Sequence, residues 1–227
     1  MLERRIRVSR QARYYLNGAP AASTRYLWFV CHGYGQLAQY FLKNFDALDP
    51  ARHLVVAPEA LSRFYLEHSQ GRRVGATWMT REDREREIED YVQYLDNVYD
   101  AVMQELAPVL PDEAPPLVKI AFGFSQGATT VSRWAFQGKM QPQHLVLWAG
   151  ELPHDLNPDR DLRCLQALDV WMALGDEDPW ITPEKLDALR SRYHEMGISY
   201  QMHDFFGKHT IPAAALQALA ANMLKDL

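Results

Sequence analysis

The chain has 227 residues, with 24 Lys+Arg against 29 Asp+Glu and a formal charge of -5. At 48% hydrophobic and 23% charged, it has the composition of an ordinary soluble globular protein. Mild acidity argues against a nucleic-acid binder, no apolar run approaches the roughly 18 residues of a membrane span, and Cys31 and Cys164 are too few for a disulfide framework or a zinc site. The start, Met1-Leu2-Glu3-Arg4-Arg5-Ile6-Arg7, lacks the apolar stretch of a signal peptide, so a cytoplasmic protein with reduced thiols is expected. At roughly 150 residues per domain the length allows one large domain or two small ones.

In chain order, Arg5 to Leu16 reads as one or two antiparallel edge strands. Leu27-Trp-Phe-Val-Cys31 is too short for a helix and reads as a strand buried on both faces. His32-Gly-Tyr-Gly35 follows as a turn, and Gln36 to Leu48 as a helix ended by Asp49-Pro50. His53 to Ala57 is a strand stopped by Pro58. Leu61 to Trp78 has no strong periodicity. Thr80 is the expected N-cap of a long helix, with Asp83 at capping-box spacing. Ile88, Tyr91, Leu95, Val98, Val102 and Leu106 then recur at helical spacing and predict a core-facing stripe. The charge run Arg81 to Asp90 reads as a solvated face laced with pairs such as Glu82–Arg86, rather than a binding site.

Pro108 to Pro116 resembles a linker, but the strand after it must join the same sheet, so one domain spanning 1–227 is expected. Val118 to Phe124, His144 to Trp148, Val170 to Leu174 and Ser199 to Phe205 complete the strands. Helices are expected at Gln126 to Phe136, Thr182 to Met196 and Ile211 to Leu224. Strands alternating with helices predict an α/β fold: a mostly parallel central sheet with helices on both faces.

The sharpest chemical signal is Gly123-Phe-Ser125-Gln-Gly127. A bare GxSxG arises by chance in roughly one chain in thirteen of this length. Here it lies where a strand ends and a helix opens, the setting a nucleophile elbow requires. Side chains two residues to either side of the serine would crowd that turn, which keeps Gly123 and Gly127 small. No Gly-Lys-Ser/Thr follows, so it is not a phosphate loop.

A serine hydroxyl needs a positioned base. In such folds the acid follows a later strand and the histidine the last one. Gly175-Asp-Glu-Asp-Pro179 and Gly207-Lys-His209 stand in those places. Asp176, Glu177 and Asp178 compete for the acid. Asp178 is favoured because it lies further past the strand and Pro179 stiffens its backbone, with Asp176 the runner-up. His209 is the expected base. His203 lies inside the last strand, His194 on a helix surface, and His53, His68, His144 and His154 stand away from the required slot. The expected oxyanion donors are the backbone N–H groups of Gln126 and of Tyr34, in the glycine-rich turn after the first buried strand.

With Cys31-His-Gly-Tyr-Gly35, Gly123-Phe-Ser-Gln-Gly-Ala128, Gly150-Glu-Leu-Pro153, Gly175-Asp-Glu-Asp-Pro179 and Gly207-Lys-His209, nearly the whole chain resembles an α/β-hydrolase of the phospholipase/carboxylesterase group, which includes acyl-protein thioesterases and small bacterial carboxylesterases. The resemblance implies Ser125 as nucleophile, His209 as base and acid, Asp178 as its orienter, and the Tyr34 and Gln126 amides as oxyanion hole. The group usually has Asp at Gln36, His at Leu174, Ser at Ala149, and no residue where Lys208 separates Gly207 from His209. These departures mark a divergent branch, whose substrate is not inherited.

No insertion is long enough for a cap domain. Leu61 to Trp78 is read as a short flap carrying Phe64, Tyr65 and Trp78 over the acyl group, with Trp180 lining the same pocket. The plainer reading makes these aromatics core and rim residues. Arg72 and Arg73 read as solvated loop rather than as anion contacts. The expected activity is hydrolysis of a small to medium acyl ester through an acyl-serine, with no metal or cofactor. The alternatives are a long-chain thioesterase or lysophospholipase, an amidase sharing the acyl-enzyme chemistry, and a non-catalytic binder on the same fold. A small-molecule ester or thioester is the expected partner, without nucleic acid or membrane span. Oligomeric state is not readable.

Overall fold

The computed structural model describes residues 1–66 and 73–225. The elements run β1 (Tyr14–Asn17), β2 (Tyr26–Cys31), α1 (Ala38–Phe41), β3 (His53–Pro58), β4 (Ser62–Tyr65), β5 (Val74–Thr77), α2 (Arg84–Leu106), β6 (Val118–Phe124), α3 (Gln126–Gln137), β7 (His144–Trp148), α4 (Asp161–Gln166), β8 (Asp169–Gly175), α5 (Pro183–Glu195), β9 (Gln201–Phe205) and α6 (Ala213–Met223). Seven strands form one sheet in the order β1-β3-β2-β6-β7-β8-β9. β1 is antiparallel to β3 and every other pairing in that sheet is parallel. No helix among the described residues is long and apolar enough to cross a membrane.

Strand β2 shows why the sheet is covered on both sides. Its alternate residues Leu27, Phe29 and Cys31 face a core built with α2 and α3. Trp28 and Val30 face a second core with α1 and α6. A strand wanted by two cores carries no polar face, which is why it reads as an unbroken apolar run. The β2–β6 register sets Cys31 beside Gly123, bringing the two site-bearing strand ends together.

Several local expectations change. The long helix starts at Arg84, not after Thr80, because Asp83 takes a left-handed backbone with φ 48° and caps nothing with its side chain. Thr80 Oγ1 instead accepts the Glu82 N–H at 3.2 Å, within a turn. Glu82 therefore precedes the helix, and Arg86 pairs with Glu89 at 2.6 Å rather than with Glu82. Such an exposed pair contributes little. The helix expected over 36–48 is helical only at Ala38–Phe41, followed by a 3₁₀ turn at Leu42–Phe45. Gln36 is pulled out of it by a β-bridge to Ala76. Of the one or two edge strands expected over 5–16 one forms, β1, antiparallel to β3, and the stretch without strong periodicity holds the β4–β5 hairpin.

Two histidines, His32 buried and His53 half-buried, tie stability to pH. His32 shares its Nδ1 with the Gly33 carbonyl at 2.8 Å, and its Nε2 accepts the Ala60 N–H at 3.1 Å. His53 Nδ1 accepts the Trp28 indole N–H at 2.9 Å. Burial lowers each to about 4. A neutral ring in the fold and a protonatable ring in the unfolded chain give stability that is complete above about pH 6.5 and drains as pH falls toward 4. Urea unfolding between pH 7 and pH 5 should lose about 1.4 kcal/mol per pH unit below 6.5 from His32, and less from His53, which solvent screens in part. A flat stability over that range contradicts this account.

Candidate active site

Ser125 sits between β6 and α3 with φ 52° and ψ -118°, a region that side-chain-bearing residues rarely occupy. The surrounding backbone holds it there: its N–H donates to the Trp148 carbonyl at 2.9 Å, and its carbonyl accepts the Ala128 N–H at 2.9 Å. A Cβ on Gly123 would stand 2.3 Å from the Gly127 carbonyl oxygen, and one on Gly127 would stand 2.0 Å from that of Cys31. The first contact is the crowding expected within the turn. The second is a packing of the turn on the end of β2.

Of the three candidate acids, Asp178 is the one whose carboxylate meets His209, with Oδ2 2.7 Å from Nδ1. Its side chain is fully buried. Its other oxygen accepts the Trp180 N–H at 2.9 Å, which orients the carboxylate. Asp176 instead accepts the Gly207 N–H at 2.9 Å and so laces the acid loop to the histidine loop. Glu177 points its side chain to solvent, while its N–H bonds the Gly207 carbonyl at 2.9 Å. The His209 ring lies 4.8 Å from that of Phe124. With Nδ1 held by a carboxylate, the proton resides there and Nε2 is the free ring nitrogen. Ser125 and His209 line one cavity. The hydrogen bonds of the described residues join His209 to Asp178 but do not join it to Ser125, a contact that commonly tightens only with substrate bound.

Most of the other described histidines stand elsewhere. His144 bonds Asp169 at 2.8 Å across β7 and β8, and His203 bonds the Ala215 carbonyl at 3.0 Å. His194 is exposed on α5. His154 lines the cavity, which its position in the sequence did not suggest. His68 and Arg72 lie outside the described residues, and Arg73 is exposed.

In the turn after β2, Gly33 N–H donates to Gln36 Oε1 at 2.8 Å and Gly35 N–H to the Ala76 carbonyl at 2.9 Å. The Tyr34 N–H between them has no partner among the described residues. The Gln126 N–H opens α3 immediately after Ser125, where a helix leaves its first donors without internal acceptors. These are the two amides expected from the sequence to receive an oxyanion.

The cavity holding Ser125 and His209 has a volume of about 840 Å³. Its apolar wall is Leu174, Trp180, Ile181, Leu186 and Leu189, so α5 and the segment before it shape it. Of the aromatics expected to line the substrate site, the described Phe64, Tyr65 and Trp78 stand away from this wall. Trp78 is 3% exposed and donates its indole N–H to the His32 carbonyl at 2.8 Å, a core position. Phe64 stacks on Tyr34 at 5.1 Å, Tyr65 is exposed, and neither lines the cavity. Trp180 does line it. Leu186, Leu189 and Tyr193 are spaced as a core stripe, yet only Tyr193 is buried. That mismatch between spacing and burial is a structural signal, invisible in the sequence. Glu151 and Arg192, paired at 3.2 Å, add a polar edge. Among the described residues no group of three or more His, Cys, Asp or Glu side chains is placed to hold a metal ion.

A family model described as "Serine hydrolase (FSH1)" matches residues 24–220. No curated protein matches the chain in sequence. Among solved structures, the carboxylesterase from Mesorhizobium loti superposes with a TM-score of 0.68 at 18% identity, covering 95% of each chain. Zea mays acyl-protein thioesterase 2 gives 0.64 at 13% identity, over 95% of this chain and 99% of that one. The Bacillus cereus carboxylesterase gives 0.59 at 16% identity, over 92% and 94%. At these identities the likeness establishes the α/β-hydrolase fold.

Proposed function

The chain belongs to the FSH1 serine hydrolase family, and from that premise we propose that it hydrolyses carboxylic esters through an acyl-serine intermediate, as a single catalytic domain. The observation that carries this reading is the pair of buried Asp178 and half-buried His209 opening on the cavity that Ser125 lines. His209 Nε2 removes the Ser125 proton as Oγ attacks the ester carbonyl. The oxygen gains negative charge and takes hydrogen bonds from the Tyr34 and Gln126 N–H groups. His209 then protonates the leaving alcohol, and in the second half activates water against the acyl-serine. Asp178 keeps the proton on Nδ1 and stabilises the imidazolium.

An alkyl fluorophosphonate should label Ser125, and p-nitrophenyl esters should turn over. A folded protein that does neither overturns the reading.

The apolar wall along α5 supports an aliphatic acyl group, and we assign the enzyme to small and medium acyl esters. In a series from C2 to C16, kcat/KM should rise toward the medium chains and fall at the longest. A maximum at C16, or faster turnover of the matched thioester, would instead favour a long-chain thioesterase, the activity in the name of the maize neighbour. Leu189→Trp fills the wall and should lower kcat/KM for a medium chain by roughly tenfold or more while sparing acetate.

A further inference from the structure

The two proposed oxyanion donors come from separate elements. Donors of this kind must stand about 2.7–3.1 Å from the oxyanion to be effective. The sheet fixes the strand ends, pairing Cys31 with Gly123. Tyr34, however, lies three residues beyond its strand, at the tip of a loop. Among the described residues, both backbone ties from that tip to another element go to one residue: Gly35 N–H donates to the Ala76 carbonyl at 2.9 Å, and Ala76 N–H donates to the Gln36 carbonyl at 3.0 Å. Ala76 belongs to β5, which pairs with β4 outside the main sheet.

The same strand is seized from the other side. The Gln126 side chain donates from Nε2 to the Met79 carbonyl and to Thr77 Oγ1, both at 3.0 Å. Its Oε1 accepts the Trp78 N–H at 3.2 Å. The Thr77 hydroxyl donates its one proton to the Met79 carbonyl at 2.9 Å, which leaves a lone pair for Gln126. Three bonds of one carboxamide thus grip residues 77–79. At the opposite end, Gly75 is packed so tightly on the loop that a Cβ there would stand 2.3 Å from the Gly35 carbonyl oxygen.

Resting on the ester-hydrolase reading, we propose that the β4–β5 hairpin is the brace that sets the spacing of the oxyanion donors. The Gln126 side chain is its clamp beside the nucleophile, and the Gly75–Ala76 backbone is its seat against the Tyr34 loop. Gln126 then contributes twice: its main-chain N–H is a donor, and its side chain is a positioning group. In this role the described strands of the hairpin frame the oxyanion site.

The test is Gln126→Leu, which keeps the main-chain N–H and removes the clamp. The kcat should fall roughly 10- to 100-fold, less than or equal to the loss of a whole donor, with KM within about threefold, as for an interaction realised in the transition state. The affinity of an alkyl boronic acid, whose tetrahedral adduct on Ser125 places an oxygen in the hole, should fall by the same factor as kcat/KM. Gly75→Ala should produce the same split from the other end. Thr77→Val should follow Gln126→Leu, and Thr77→Ser, which restores the hydroxyl, should return near-wild-type kcat. If Gln126→Leu does not fold, Gly75→Ala and the Thr77 pair decide. Folded variants with wild-type kcat, losses confined to KM, or boronate affinity that stays constant while kcat falls would overturn the brace. Failure of the ester-hydrolase reading is distinguishable, because there the wild type itself would neither turn over esters nor bind the boronate, and the inference would fall with it.

Discussion

Ser125→Ala is expected to abolish ester turnover, lowering kcat by about 10⁴-fold or more, with the unfolding midpoint little changed. In the proposed mechanism nucleophile and base act as one unit, so Ser125→Ala combined with His209→Ala should be no worse than either alone. The acid loop gives the sharper test. Asp178 is buried and meets Nδ1 of His209 at 2.7 Å, so Asp178→Asn should place the imidazole in the wrong tautomer and cost about 10⁴-fold in kcat. Asp176 holds only the Gly207 N–H, at 2.9 Å, so Asp176→Asn should cost about tenfold or less, by loosening the histidine loop. Steady-state kinetics on a p-nitrophenyl ester reads both. A larger loss from Asp176→Asn than from Asp178→Asn would overturn the assignment of the acid.

The two acids illustrate what could be read from the residues. Local signals carried far: an apolar run bounded by turns marks a doubly covered strand, and β2, β6 and β7 stand where that rule places them. The elbow is equally local, because a strand, two glycines and a helix suffice to define it. What failed depended on partners remote in sequence. Thr80 has the residue type of an N-cap, but Asp83 turns left-handed there and carries an ion pair to Arg5 at 3.0 Å. Gln36 continues a helical pattern, but Ala76 takes its backbone. The absence of Asp at that position, a departure from the group resembled, is harmless on chemical grounds. Gly33 N–H needs only an acceptor oxygen, and the Gln36 carboxamide supplies one at 2.8 Å. The cavity wall was the least legible part, since Leu186 and Leu189 have the spacing of core residues and only the fold shows that they face an opening instead.

Gly127→Ala should be the most damaging single methyl group in the protein's elbow. Glycine at this place follows from the elbow pattern, but the reason differs from crowding within the turn. The added Cβ would stand 2.0 Å from the Cys31 carbonyl oxygen, 2.7 Å from its carbon and 2.8 Å from the His32 carbonyl oxygen. All three are backbone atoms, so no side chain can rotate away. Relief requires α3 to retreat from the end of β2, which opens the packing on both sides. Overpacking of this kind costs about 3 kcal/mol, and in a chain of this length that lowers the unfolding midpoint by roughly 10 °C. Activity should fall further than stability alone explains. The displaced atoms lead directly into His32 and the Tyr34 loop, while α3 carries Ser125 and the Gln126 N–H at its start. The methyl group therefore separates the two proposed donors. Calorimetry and kcat, measured on the folded fraction, check the two effects independently. A variant with wild-type melting and wild-type kcat would show that the close approach of α3 to β2 is not required.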